Sequence, residues 1–518
     1  MPISQAGALN TTALIVPDLY VQIVPPQSLL LNGVPTDVLG VVGSASWGPV
    51  NEPMIVGSMG DYATGFGPVM PRQYDMGTVV AIGVQQGASN FRCVRVTDGT
   101  DTAASVSILG ALTLTALYTG SLGNSLVATI STGSAANSWQ VTIAMPGGTV
   151  EVFNNIVGTG AAFWAAVATA INNGTGPLRG ASQLVTATAG TSSLAPSSGV
   201  FPFSSGTPGS DGATGLTSGM VVGQDVSPRS GMYALRGQGC SIVVLADLDD
   251  STQWSVAVAF GLDEGCYMIL AGPPGDTIAN AVTTMQTAGI DSYAAKLMFG
   301  DWIWWYDQAN GITRLVSPQG FAAGILANLS PEQSSLNKQL YGVVGSQKSG
   351  QAVAGSSSTY STADLSVLLS AGIDVISNPQ PGGAYWGVRG GHNTSSNSAT
   401  NGDNYTRMTN YIADTLSAGM GAYVGQLVNA TLFQNIRSTL LSFLNAMLGQ
   451  KMLGSTDGSL PFAVLCDISN NPQSRTALGY VQADVQVQYQ SINEKFIVNV
   501  EGGQTVQVSQ QTLPQGTV

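Results

Sequence analysis

His392 is the only histidine in the chain. One imidazole excludes any site built on two, and its setting, GVRGGHNTSS, reads as a loop. A serine relay through His392 would need a nucleophile on a strained turn, and no G-x-S-x-G elbow is present. AGPPGDT (residues 271–277) stands between a strand-like and a helix-like run, where phosphates bind helix N-termini. It lacks the lysine and glycine spacing of a phosphate loop, and its prolines remove amide donors. DLDD (247–250) gathers carboxylates, but the following STQWS does not continue a calcium loop. Its better use is to cap the helix that starts near Trp254. Trp302 and Trp304 fall on one face of DWIWWYD and read as core packing rather than a sugar platform. Cys93, Cys240, Cys266 and Cys466 form no CxxC pair and read as buried free thiols. No metal or cofactor site is expected, and no enzyme.

The elements that would carry any function must therefore be read for assembly. The chain has 518 residues, which predicts several domains rather than one core. Hydrophobic residues make up 44% and charged residues only 9%, against about 25% in an average soluble protein. So few charges leave little surface suited to solvation, and much of the exterior reads as contact surface. The 65 glycines and net charge of −13 point to a turn-rich, strand-rich chain. Without a cationic run it lacks the means to displace counterions, so nucleic-acid binding is not expected. No apolar run approaches the ~18 residues of a membrane span, and MPISQAGALN shows no secretory pattern. A soluble protein made in the cytoplasm is expected.

Along the chain, Leu14–Val24 reads as an extended segment fenced by Pro17, Pro25 and Pro26. Residues 38–104 alternate strand, turn, strand, helix and strand, an α/β opening. Residues 105–219 change to short Ala/Thr/Ser/Gly runs with one helix at 161–172, and read as a peripheral, mainly β insertion. The α/β pattern resumes over 220–379. Its strands are expected at Cys240–Asp247, Gly265–Gly272, Ala294–Asp307 and Gly372–Asn378, with helices between. Residues 380–503 read as an α+β C-terminal domain. It has helices at 403–416 and 432–448, a strand alternating Val481, Ala483, Val485, Val487 and Tyr489 inward, and a second strand at Lys495–Val500. Gln504–Gln510 is a third, beyond the Gly502–Gly503 hinge. The fold class is thus multidomain α+β and α/β, with extended arms at 1–37 and 504–518.

Several stretches, in this order, resemble the contractile tail sheath proteins of bacteriophages and related injection machines. They are VVGSASWGPVNEPMIV and DYATGFGP, then FRCVRVTDG, SLGNSL, SDGATG and GMYALRG, then GAYWGVRGGHN, KMLGSTDG and FAVLCD with the strands after Gly479. Where that family has G-x-R-T, this chain has Arg389 followed by two glycines. The resemblance implies a subunit that polymerises as stacked hexameric rings around an inner tube. Contraction from a metastable lattice would drive the tube through a host envelope for genome ejection. It implies partners: further copies of itself, the tube, baseplate and tail terminator proteins, with neither nucleic acid nor membrane insertion. The location implied is the virion tail, after synthesis in the bacterial host cytoplasm. Arm strands at Leu19, Tyr20, Val21, Gln22, Ile23 and Val24, and at Gln504, Thr505, Val506, Gln507 and Val508, would add to a neighbour's sheet. The accepting sheet would contain Val481, Ala483, Val485, Val487, Phe496 and Val498. The helix bearing Phe433, Ile436, Arg437, Leu440, Phe443 and Leu444 would face the tube. A glycan-binding or hydrolytic extracellular-type protein, or another virion component of capsid or baseplate, fits the composition but not the ordered motifs.

Overall fold

The computed structural model describes residues 3–4, 21–22, 31–177, 179–351 and 360–500. Within these the protein is a mixed α+β assembly of several sheets and helices. Its central sheet has seven strands, in spatial order Ile373–Asp374, Ala295–Met298, Tyr267–Ala271, Ile242–Leu245, Leu39–Gly43, Phe91–Arg95 and Pro53–Val56. Every neighbour pair is parallel except the last, where Pro53–Val56 runs antiparallel to Phe91–Arg95. The four strands from Ala295–Met298 to Leu39–Gly43 are buried at every position, because helices cover both faces. That is why they read as unbroken apolar runs rather than alternating ones.

The period-two geometry of each strand divides its side chains between two cores. Leu39, Val41, Ile242 and Val244 pack with the helices Met76–Gln85 and Gln319–Asn328. Val42, Val243 and Leu245 pack on the other face with Trp254–Glu264, Ile278–Ala288 and Thr362–Ser370. The first pair of helices approach closely because small residues meet. A Cβ added at Gly324 would lie 2.8 Å from the Cα of Gly83. Gly324→Ala is therefore expected to destabilise the core by about 1–3 kcal/mol despite its better helix propensity. Gly219→Ala, with nothing within 4 Å of the added carbon, should leave the urea midpoint essentially unchanged.

Residues 105–202 supply two further sheets, one ordered Val150–Ile156, Trp139–Ala144, Val127–Thr132, Gly199–Pro202 and one ordered Val185–Ala189, Leu112–Ala116, Ser105–Ile108. The helix Gly160–Asn173 contributes Phe163, Trp164, Val167 and Ile171 to their shared core, which Trp47 enters from outside the segment. Polar bonds also fix the segment in place. Fully buried Arg95 donates to Gly48 O (2.8 Å), Thr119 O (2.6 Å) and Asp211 O (3.2 Å). Removing all of 105–219 would strip this guanidinium of two acceptors, a costly outcome for a buried charge. Shortening is thus confined to parts that spare Thr119 and Asp211.

Two strand assignments need correction. Ala294–Asp307 is not one strand: Ala295–Met298 belongs to the central sheet, and Ile303–Asp307 to a separate four-stranded antiparallel sheet. Trp302 and Trp304 therefore do not share a strand. Buried Trp302 donates to Gly272 O and buried Trp305 to Gln85 Oε1, so the ring N–H groups are used in packing. Gly372–Asn378 is likewise divided, Ile373–Asp374 joining the central sheet and Ile376–Ser377 pairing with Gly387–Val388.

Candidate assembly site

The loops screened for chemistry have structural partners. Asp250 caps the turn before Trp254 by accepting from Thr252 N. In the AGPPGDT turn, Thr277 caps its helix by accepting from Asn280 N, and Asp276 accepts from Thr277 N and the Asn280 amide. A cavity of about 530 Å³ lies beside it. Asp276, Asp301 and Lys348 are the charged residues that line that cavity. His392 Nε2 lies 2.7 Å from Glu494 Oε1, a carboxylate without a nucleophile beyond it. All four cysteines are free and buried, and burial pushes the Cys240 thiol up to about 12. Among the described residues, no cluster of metal-ligating side chains occurs and no helix is long and apolar enough to cross a membrane.

The C-terminal module is built on two helices, Asp403–Met420 and Ala430–Gly449. Asn429 starts the second by accepting from Leu432 N. Its apolar stripe, Phe433, Ile436, Leu440, Phe443 and Leu444, is buried against Met408, Ile412 and the hairpin beyond. These five side chains are part of the module's core. Arg437 does lie on the exposed side, with Gln434 and Ser438. The inward face is apolar because the hairpin needs a floor, and only the opposite stripe of this helix is free for contact.

That hairpin pairs Phe462–Leu465 antiparallel with Asp484–Val487. Val481, Ala483, Val485, Val487 and Tyr489 all lean on the core as the alternation requires, although only Val485 and Val487 lie within the strand. Asn470 and Asn471 tie off the intervening loop: the first donates to Leu465 O and Asp484 Oδ2, the second to Asp467 O and Gln482 O. The second expected strand, Lys495–Val500, carries no strand pairing. Phe496 (82% exposed), Ile497, Val498 and Val500 (86%) stand in solvent. Phe496 and Val498 are therefore no part of an accepting sheet within the subunit. Alternation supplied the pattern of a strand, but a strand also needs a partner edge, and none pairs with it among the described residues.

Buried charge joins this module to the central sheet. Lys296 Nζ, in the strand Ala295–Met298, reaches Asp374 Oδ2 at 2.6 Å, Asp403 Oδ1 at 3.1 Å and His392 O at 3.0 Å. Asp403 opens the helix Asp403–Met420 and also accepts from Tyr267 Oη and Ser335 Oγ. Burial would raise the Asp403 carboxyl, but Lys296 and these hydrogen bonds outweigh it and hold it at about 2. Arg407, one turn on, donates to Leu329 O, Ser330 O and Thr36 O. Sequence reading missed this cluster. Its only signal was a lysine inside the apolar run AAKLMF.

The segment leading in from the N-terminus lies on the same module. Leu31 is in its core, Val34 N donates to Thr415 Oγ1, and Thr36 O accepts from Arg407. Residues 31–34 thus lie along the later turns of the helix Asp403–Met420, at Tyr411, Thr415 and Gly419, while Gln490 and Glu494 are held near its start by Asn404 and His392. At the N-terminal side, Ile3–Ser4 pairs in parallel with Val21–Gln22. The other arm residues, Leu19, Tyr20, Ile23, Val24 and Gln504–Val508, lie outside the described residues.

Sequence comparison gives no match to a family model and none to a curated protein. Comparison with solved structures does. The sheath tail protein from Desulfitobacterium hafniense is similar over 86% of this chain and 93% of its own, with 16% identity and a TM-score of 0.56. The sheath tail protein from Listeria innocua covers 86% and 91%, with 14% identity and a TM-score of 0.59. The contracted sheath of an extracellular contractile injection system covers 95% and 98%, with 12% identity and a TM-score of 0.55. Over most of its length the chain therefore has the fold of contractile tail and injection-system sheath proteins.

Proposed function

We propose that the chain is the structural subunit of a contractile tail sheath. Copies polymerise as stacked hexameric rings around an inner tube, and the terminal segments cross to neighbouring copies and add strands to their sheets. Contraction carries the lattice from a metastable extended state to a compact one and drives the tube through the host envelope. Baseplate and terminator proteins bound the tube of rings, and the particle is a phage tail or a related injection device. No step calls for catalysis or a cofactor. The observation that carries this reading is the sheath fold together with the apolar side chains of Phe496, Ile497, Val498 and Val500 standing in solvent at the C-terminal module. Many other exposed large apolar residues belong to that module, among them Val424, Leu427, Ile468 and Leu478, as expected of surface that is covered on assembly.

Electron microscopy of the purified full chain at high concentration tests this directly. Striated hollow tubes or stacked rings are expected, either alone or on adding the cognate tube protein. Monodisperse particles under both conditions would overturn the sheath reading.

A further inference from the structure

Residues 488–500 leave the C-terminal module in stages. Up to Tyr489 the chain is held firmly: Gln488 N donates to Pro461 O, and Tyr489 bridges to Leu453 and packs on the core. Beyond it, two side-chain bonds hold the chain among the described residues. Asn404 Nδ2 donates to Gln490 O at 2.9 Å, and His392 Nε2 meets Glu494 Oε1 at 2.7 Å. Residues 490–495 border two hollows, of about 170 Å³ and about 870 Å³. Glu494 is the last anchor before the exposed apolar run of Phe496, Ile497, Val498 and Val500. The two ends of that anchor differ in rigidity. The backbone of His392 is fixed by the buried charge cluster: its carbonyl accepts from Lys296 Nζ, its N–H donates to Asp374 Oδ2 at 3.4 Å, and it pairs with Gly402. A change at the imidazole therefore acts on the segment and not on the loop that carries it.

We infer that the pair of His392 with Glu494 is a pH-operated latch on the C-terminal segment, closed while the imidazole is charged and loosened once it is neutral. An imidazole ordinarily changes charge between about pH 5 and pH 8, where a carboxylate ordinarily stays ionised. On the acid side the imidazolium attracts the carboxylate as well as donating to it. On the alkaline side the hydrogen bond alone remains, so the attraction is present at low pH and lost as pH rises. The other charges around the imidazole do not replace Glu494. Asp374 and Asp403 are taken by Lys296. Asp291, which lines the larger hollow with His392, accepts from Ser396 N and Oγ. Lys495 lines it too, next to Glu494 on the same exposed segment. The pair is 20% and 38% exposed, and solvent screening limits the effect to about two- to fivefold. The latch is a property of the single subunit and is independent of the sheath reading.

A nitroxide attached to Ile497→Cys in the full chain tests this, since Ile497 is 80% exposed and the four native cysteines are buried. Electron paramagnetic resonance of unassembled protein gives the ratio of mobile to held label. That ratio is expected to rise about two- to fivefold from about pH 5.5 to about pH 8. His392→Gln keeps a hydrogen-bonding side chain without the charge, and should show the higher ratio at both values. Glu494→Gln should do the same. Both side chains are partly exposed, so neither variant removes core packing. A native ratio that does not change with pH would overturn the latch. A pH response of native size in His392→Gln or in Glu494→Gln would overturn it as well, because the response would then belong to another group.

Discussion

Lys296→Met is expected to destabilise the central sheet and the C-terminal module together, by about 3–5 kcal/mol. The ammonium is fully buried and, among the described residues, is the only cation bonded to Asp374 and Asp403. Its removal leaves two carboxylates in the interior. Asp374 retains bonds from Val375 N, Gly390 N and Gly391 N, and Asp403 retains those from Tyr267 and Ser335, but none of these brings a compensating charge. The pH dependence gives the test its specificity. In the native protein the Asp403 carboxyl is held at about 2, below its ordinary value of 3.8. That depression contributes about 2.5 kcal/mol, present above pH 4 and lost as pH falls toward 2. Without Lys296 the burial of the Asp403 carboxyl is no longer offset by a charge and raises it, so the folded state gains relative stability on acidification. The gap between variant and native urea midpoints should therefore narrow between pH 7 and pH 4. A gap independent of pH would mean that lost packing, not charge, governs the site. Lys348→Ala is the control: its pair with Asp364 spans 3.6 Å with both side chains about a third exposed, and its loss should cost under about 1 kcal/mol.

Much of the architecture was legible because the relevant physics is local. Unbroken apolar runs such as CSIVVLAD and GCYMILAG could only be strands covered on both faces. The alternation from Val481 to Tyr489 correctly gave the side turned to the core. The apolar stripe of the helix Ala430–Gly449 gave its existence and its buried face as well. It shows which side of the helix is buried and not what the opposite side, with Arg437, meets. Lys495–Val500 shows the complementary limit. Its pattern is that of a strand, yet pairing is non-local and no edge inside the subunit receives it. The link of Lys296 to Asp374 and Asp403 joins residues 78 and 107 positions away, and nothing in their neighbourhoods announces it. Arg95 is a similar case, since its acceptors at Thr119 and Asp211 lie in the inserted segment.

Deletion of residues 1–24, or of everything after Gly503, is expected to leave a folded subunit that no longer polymerises. The four apolar cores are built from side chains between Leu31 and Tyr489, so neither cut removes a named core residue. The linker stays fastened through Leu31, Val34 and Thr36, and the far end through the bonds of Asn404 with Gln490 O and of His392 with Glu494. Thermal unfolding should therefore match that of the full chain, while sedimentation shows single subunits where the full chain forms tubes. Mixing sharpens the test. A subunit cut after Gly503 keeps the hairpin Phe462–Leu465 with Asp484–Val487, so under the proposed strand exchange it would still receive a neighbour's strand but would lack its own C-terminal strand to give. Added in small proportion to full-length protein, it should enter growing tubes and stop them, shortening them in proportion to the dose. Tubes of normal length at every ratio, with the truncated chain left in the supernatant, would mean that the C-terminal segment is needed for entry into the lattice. Normal tubes from the truncated chain alone would remove strand exchange from the account of this assembly.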